Sequence, residues 1–127
     1  MKEGKLSGNW KNAKNTVSMD LPVMFFEENK VQIAYIPMLD LSGYGKTEKE
    51  AMESLVEALD NYFSYTTNKD TLVQDLKAHG WTIRKKNKPY VAPELTDLIT
   101  KNEYLHDIVN KRPYKMDRIN VTMPQYA

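Results

Sequence analysis

The sequence predicts an α+β domain in which helices pack against a small antiparallel sheet. Apolar and polar residues alternate over residues 16–36 and again near residue 120, which is typical of half-buried strands. Between these stretches, apolar residues recur at intervals of three and four, which is typical of amphipathic helices. The predicted order is strand, strand, helix, helix, strand, helix, strand. Because strands and helices do not alternate regularly, this order favours the α+β class over a parallel α/β sheet.

Length and composition indicate one soluble domain. The chain has 127 residues, and 18 Lys and Arg against 17 Asp and Glu give a net charge of +1. Such a balance does not favour a general nucleic-acid-binding protein. Cysteine is absent, which excludes disulfides and thiolate metal sites and suits a reducing cytoplasm. Because we find neither a signal peptide nor an apolar run of ~20 residues, we expect a cytoplasmic protein without a membrane segment.

Charge and pattern divide the chain into three parts. Residues 1–83 carry nine bases and twelve acids, whereas residues 84–127 carry nine bases and five acids. Within the first part, residues 1–15 are polar and rich in Gly, Asn and Lys, which favours an N-terminal arm. We therefore expect an arm over residues 1–15, an α+β core over residues 16–83, and a basic C-terminal extension over residues 84–127. That extension contains a helix and a terminal strand.

Two strands begin the predicted core. The apolar face of the first strand consists of Val17, Met19, Leu21, Val23 and Phe25. Pro22 has no amide proton and therefore predicts an edge position or a bulge. A polar hairpin loop over residues 27–30 leads to a second strand, which begins at Val31 and is interrupted by Pro37.

Helices follow the strands. The first helix has apolar residues at helical spacing: Ala51, Met52, Leu55, Ala58, Leu59, Tyr62 and Phe63. A shorter second helix covers residues 71–79, with Asn68 or Asp70 as its cap and Gly80 as its end. Residues 81–93 favour an exposed strand or extended segment. A third helix after Pro93 and a terminal strand over residues 116–124 complete the order.

The segment DLSGYGKT, residues 40–47, raises the question of a phosphate-binding loop. Gly45, Lys46 and Thr47 match the end of a Walker A motif, but Asp40 occupies the position of its first glycine. An anionic side chain at that position would repel a phosphate. The fold class also lacks the parallel sheet that such loops require. We therefore interpret the segment as a helix start.

A capping box explains the same residues. The Thr47 hydroxyl is expected to accept a hydrogen bond from the Glu50 amide, and the Glu50 carboxylate is expected to accept one from the Thr47 amide. Gly43 and Gly45 are expected to form a tight reversal between strand and helix. This arrangement predicts a helix that begins immediately after Thr47.

The segment from Tyr35 to Ala51 resembles the HicB-type antitoxins and their HicB-like relatives. The residues that carry the resemblance are Pro37, Gly43, Gly45, Thr47, Glu50 and Ala51. The match covers roughly residues 23–62. It implies a partial ribonuclease-H-like domain without catalysis and without a cofactor. It further implies that the chain binds a HicA-type mRNA-cleaving toxin and masks the active site of that toxin.

Many HicB-type antitoxins also carry a C-terminal DNA-binding module, and residues 118–124 resemble the strand that opens a ribbon-helix-helix. In that fold, strands from two chains pair, so Arg118, Asn120 and Thr122 would face the bases. The two helices that should follow this strand are missing before Ala127. We therefore expect a homodimer or higher homo-oligomer and do not expect operator binding.

An alternative function is a stand-alone HicB-like module that binds protein or RNA and has no toxin partner. Its candidate contacts are the basic residues Arg84, Lys85, Lys86 and Lys88. Lysines that protect an edge strand explain the same cluster. The alternatives stay open at this stage.

The remaining reactive side chains have plainer explanations. His79 is expected to cap a helix C-terminus, and His106 to face solvent. Asp40 is expected to stabilise a turn. The rings of residues 62, 63 and 65 are expected to pack in the core or at a dimer contact rather than stack on bases. We therefore predict no catalytic, cofactor-binding or metal-binding residue, and no enzyme activity.

Overall fold

The computed structural model describes residues 16–83 and 90–124, and these ranges contain six strands and four helices. In chain order they are β1 (Thr16–Glu28), β2 (Val31–Ile36), β3 (Leu41–Gly45), α1 (Glu48–Lys69), α2 (Leu72–Ala78), β4 (Thr82–Ile83), β5 (Tyr90–Val91), α3 (Leu95–Lys101), α4 (Glu103–Lys111) and β6 (Tyr114–Pro124). Across the described ranges, every helix is too short or too polar to cross a membrane.

Four strands form the main sheet in the order β3-β2-β1-β6, and every neighbouring pair is antiparallel. The long strand β1 pairs with β6 from Thr16 to Phe26 and with β2 from Met24 to Glu28. Strands β4 and β5 form a separate two-stranded antiparallel sheet, which the Tyr90 hydroxyl joins to the carbonyl of Pro124. The predicted class, an α+β domain with helices on a small antiparallel sheet, is confirmed.

Both faces of the main sheet are covered by helices. We call the side under α1 the α1 face; its buried residues are Leu21, Val23, Phe25, Ala34, Ile36, Ile119, Val121 and Met123. We call the opposite side the α4 face, where Met24, Phe26, Ile33 and Tyr35 pack against Leu105 and Ile108. Successive residues of a strand point to opposite faces, so the continuous apolar run of β1 over residues 23–26 supplies both layers. The core is therefore two apolar layers divided by the sheet.

Three predicted elements differ from the structure. Residues 41–45, for which the sequence predicts a tight reversal at Gly43 and Gly45 and no strand, pair with β2 as strand β3. The predicted third helix is two helices, because Asn102 adopts an extended conformation and its side chain accepts a hydrogen bond from the Leu105 amide, 3.1 Å away. The predicted exposed segment, residues 81–93, contains the two short strands β4 and β5. The elements that the sequence pattern does not predict are therefore short ones.

Smaller expectations can also be compared with the structure. Neither Asn68 nor Asp70 caps α2, because α1 continues to Lys69 and Asp70 ends it in the left-handed conformation. Gly80 follows α2 with φ +93, as its predicted role at a helix end requires. Pro22 lies in the part of β1 that β2 does not reach, so its missing amide proton removes no β1–β2 hydrogen bond.

A buried tyrosine joins the α4 face to α4 itself. The Tyr35 hydroxyl donates to Asp40 Oδ1 at 2.7 Å and accepts from Asn102 Nδ2 at 3.2 Å. The ring of Tyr104, on α4, meets the Tyr35 ring edge-on at 5.3 Å. Burial raises the pKa of Tyr35, and the hydrogen bond to Asp40 raises it further. One hydroxyl therefore connects a strand, a turn and the start of a helix.

A second tyrosine connects α1 to α2. The Tyr62 hydroxyl donates to Asp75, and burial, followed by this hydrogen bond, raises the pKa of Tyr62. Both tyrosines thus keep their protons in the folded chain at pH values where an unfolded chain begins to lose them.

We predict that the protein loses stability above the ordinary tyrosine pKa of 10.0. The unfolded chain releases protons that the folded chain retains, so the free energy of unfolding falls as pH rises. Urea denaturation between about pH 8 and 11 measures this fall. The double variant Tyr35→Phe/Tyr62→Phe should flatten the fall and should lose about 1 kcal/mol per hydroxyl at neutral pH.

Tyr65→Phe is the matched control, because Tyr65 lies on α1 with its side chain 63% exposed. It should keep the parent slope. If the double variant lost stability at high pH as steeply as the parent, the two buried hydroxyls would not be the source of the effect.

Candidate functional site

The passage from β3 into α1 is the best-defined candidate site. Only Lys46 and Thr47 separate strand from helix, and this passage includes most of the residues that carry the family resemblance. Ala51, in the first turn of α1, is fully buried. The geometry of this junction decides where α1 lies on the sheet.

Gly43 and Gly45 allow the α1 backbone to rest directly on β3. A Cβ atom on Gly43 would lie 2.2 Å from the Leu55 amide nitrogen and 2.3 Å from the Ala51 carbonyl oxygen. A Cβ atom on Gly45 would lie 2.4 Å from Glu50 Cβ. Both glycines have strand conformations that other residues adopt, because the positive-φ glycine in the described chain is Gly80. A side chain at either glycine would obstruct the packing of α1 on β3, as expected, but both glycines lie within the strand and not in the turn.

The helix cap agrees with the prediction at one bond and differs at the other. The Thr47 hydroxyl accepts from the Glu50 amide at 3.1 Å, as the capping box predicted. The Glu50 carboxylate accepts from the Lys46 amide at 2.8 Å instead of from the Thr47 amide. Ser54 adds a hydrogen bond that sequence reasoning missed, since its hydroxyl accepts from the Tyr44 amide at 3.1 Å. Side chains of α1 thus satisfy backbone donors before the helix, and the Thr47 side chain satisfies one within it.

This geometry favours the helix-start interpretation of residues 40–47. The amide of Glu50, which a phosphate would need, already donates to Thr47. Glu48 and Glu50 place two carboxylates in the first turn of α1. The surrounding sheet is antiparallel, whereas a Walker A loop follows a strand of a parallel sheet.

Pro37 and Asp40 form the turn between β2 and β3. Pro37 is buried, and its carbonyl accepts from the Asp40 amide at 3.3 Å. Asp40 has φ +54, in the left-handed region, and its carboxylate accepts from Tyr35. The expected turn-stabilising role of Asp40 is confirmed.

The two histidines lie where the sequence predicts. His79 Nδ1 lies 2.8 Å from the Asp75 carbonyl oxygen at the end of α2, which confirms capping. His106 is exposed on α4.

The rings of residues 62, 63 and 65 do not form a stacking platform. Phe63 is buried, and the Tyr62 hydroxyl binds Asp75. Of the three rings, only that of Tyr65 is exposed.

The terminal strand pairs along one edge with β1 of its own chain. Arg118, Asn120 and Thr122 share the exposed side of β6, but β6 pairs with β1 of its own chain. Asn120 Nδ2 donates to Asp20 Oδ1 at 3.0 Å, and the Arg118 guanidinium donates to the Asp20 carbonyl at 3.1 Å. Thr122 lies 3.1 Å from the Ser18 hydroxyl. These side chains therefore make contacts within their own chain instead of projecting freely, and pairing of β6 with a second chain stays a prediction.

Two predictions fall on residues outside the described ranges. Arg84, Lys85, Lys86 and Lys88 belong to the stretch between Ile83 and Tyr90, and the polar arm covers residues 1–15. The residues that flank this stretch, Ile83 and Tyr90, pair with each other across β4 and β5.

The outer side of α1 is acidic. Glu50, Glu53 and Glu57 are exposed and recur at three and four positions, so they lie along one side of the helix. Glu48 is also exposed, and it binds Lys115 at 2.6 Å. Within residues 16–83 and 90–124, no cluster of three or more His, Asp or Glu side chains is arranged to hold a metal ion.

Comparison with protein-family models, with curated proteins and with solved structures gives no match for this chain.

We predict that Gly43→Ala destabilises the protein by about 3 kcal/mol or more, the upper part of the range for overpacked cores. The added methyl group meets backbone atoms of α1, which cannot move without shifting the whole helix. Urea denaturation followed by circular dichroism measures the loss. Ser42→Ala is the control, because Ser42 is the neighbouring strand residue on the opposite side of β3. Equal stability of both variants would contradict close packing at Gly43.

Proposed function

We propose that this chain is a HicB-like, antitoxin-type protein that binds and masks a HicA-type mRNA-cleaving toxin and performs no catalysis itself. The observation that carries the proposal is the β3–α1 junction. Most residues of the resemblance meet there in one packed unit, with Gly43 and Gly45 under the helix and the Thr47 cap at its start. In this proposal, β1, β2, β3 and α1 belong to a partial ribonuclease-H-like domain that acts in the cytoplasm.

The acidic side of α1 supports the choice of partner. An enzyme that cleaves RNA must hold a polyanion, so its binding surface carries positive charge. A helix that presents Glu50, Glu53 and Glu57 to solvent offers that surface a competing set of anions. Masking would then follow from occupation of the RNA-binding surface, without chemistry at the antitoxin.

The proposal is tested with a small basic protein encoded beside this gene. We expect co-expression to restore growth that the neighbour inhibits, and we expect the two proteins to co-purify. Glu53→Lys/Glu57→Lys should abolish rescue or weaken binding about tenfold or more, because two attractions become repulsions. Both residues are chosen because neither takes part in the cap at Thr47.

Asp97→Lys/Glu103→Lys is the matched control. It makes the same change of charge at two exposed helical positions, on α3 and α4. It should rescue growth as the parent does. Equal loss in both variants would point to net charge rather than the α1 surface.

Absence of rescue and of co-purification with the parent chain would exclude the antitoxin function. In that case, salt-dependent retention of RNA by the full chain, lost when the four basic residues of 84–88 are neutralised, would support the stand-alone RNA-binding module.

A further inference from the structure

We propose that the free edge of β6 pairs antiparallel with β6 of a second copy of this chain, with Met116 on the two-fold axis. This self-association does not depend on the proposed toxin partner. The partner strand is β6 of a second copy, because in one register charged residues of the two copies of β6 lie opposite residues of opposite charge.

Strand β6 is an outer strand of the main sheet. Its 11 residues pair with β1, and within the described ranges no strand lies on its other side. Two large apolar side chains on it are exposed, Tyr114 at 42% and Met116 at 41%. A long edge strand with exposed apolar side chains can accept another strand.

The backbone shows which residues of β6 face the free edge. Pro22, which lies opposite Arg118, has no amide proton to donate. The Arg118 amide donates instead to its neighbour, Asp117 Oδ1, at 2.8 Å. The pair is therefore not hydrogen-bonded, so the backbone groups of Arg118 point outward. By alternation, those of Met116 and Tyr114 point outward as well.

The charges select the register. A two-fold axis at Lys115, Asp117 or Arg118 would set that charged residue opposite its own copy, and like charges directly opposite destabilise a sheet. An axis at Met116 sets Lys115 opposite Asp117 of the second copy, twice by symmetry. It also sets Arg118 opposite Tyr114, where a guanidinium and an aromatic ring attract each other.

The same register brings the exposed apolar residues together. Met116 lies opposite Met24, so it is on the α4 face, and at the axis it meets its own copy. Lys115 lies on the α1 face, where it binds Glu48. Because its side chain is 57% exposed, its ammonium group is open to a second carboxylate.

Asp117 changes partner on association. In the single chain, the Asp117 carboxylate accepts a hydrogen bond from the outward-pointing Arg118 amide, so that amide does not bind another strand. In the pair, that amide donates to the Tyr114 carbonyl of the second copy, and the carboxylate binds the Lys115 ammonium. Two four-stranded sheets then join into one continuous sheet.

Cysteine cross-linking tests the register, because the chain contains no cysteine. In the proposed pair, Met116→Cys places two Cα atoms about 5.5 Å apart, within the range of a disulfide. We expect rapid oxidation to a covalent dimer. Asn120→Cys is the control, since residue 120 lies opposite residue 112. Faster cross-linking at 120 than at 116 would overturn the proposal, because it would place the axis at Asn120.

Charge exchange tests the same pairs without a new bond. Lys115→Glu and Asp117→Lys should each weaken dimerisation about tenfold, measured by analytical ultracentrifugation. An equimolar mixture of the two variants should form a heterodimer, because each faulty charge then meets an opposite one. Asp117→Lys leaves the Lys115–Glu48 pair intact, so a folding defect in Lys115→Glu does not prevent the test. A parent chain that stays monomeric at every concentration would overturn the proposal.

Discussion

The close contact between α1 and β3 is the constraint on which the rest of the molecule depends. At Gly43, no room exists for even one additional carbon atom between strand and helix. Ala34 lies opposite Gly43 on β2, and Ala51 faces it from α1, so small residues continue the contact on both sides. Because the helix is fixed at its first turn, Leu55, Leu59 and the ring of residue 63 fall on the sheet in turn. Backbone contact therefore fixes the position of α1, and apolar side chains fill the space between this helix and the sheet.

The opposite layer is held differently. The α4 face is smaller, and α3 contributes no fully buried residue to it. There the Tyr35 hydroxyl fixes the start of α4 through Asn102, which also caps that helix. A buried hydroxyl with two partners is costly to leave unsatisfied, so it specifies one position for α4 where apolar contact alone would accept several. One layer is therefore positioned by steric fit and the other by a polar network.

Local patterns were sufficient for α1, β1, β2, β6 and the end of α2, because their periodicity lies within single segments. Strand β3 was missed because two glycines in five residues hide an alternating pattern. The break at Asn102 was missed because apolar spacing continues across it. The close packing at Gly43 and the pairing of β6 with β1 depend on residues distant in sequence, which no local pattern encodes. The motif was sufficient to locate most of the candidate site. The direct contact between the α1 backbone and Gly43 could not be predicted from it.

The two proposed surfaces lie on different parts of the fold and use different interactions. The proposed toxin masking uses side-chain charge on the outer side of α1, whereas the proposed self-association uses backbone groups at the free edge of β6. The direct side-chain link between them is the exposed pair Lys115–Glu48, and exposed ion pairs contribute little free energy. Weak coupling means that the proposed dimer would leave uncovered the acids that face the proposed toxin. Each chain of the dimer then presents its own α1 surface, so a two-fold pair of antitoxins would hold two toxins.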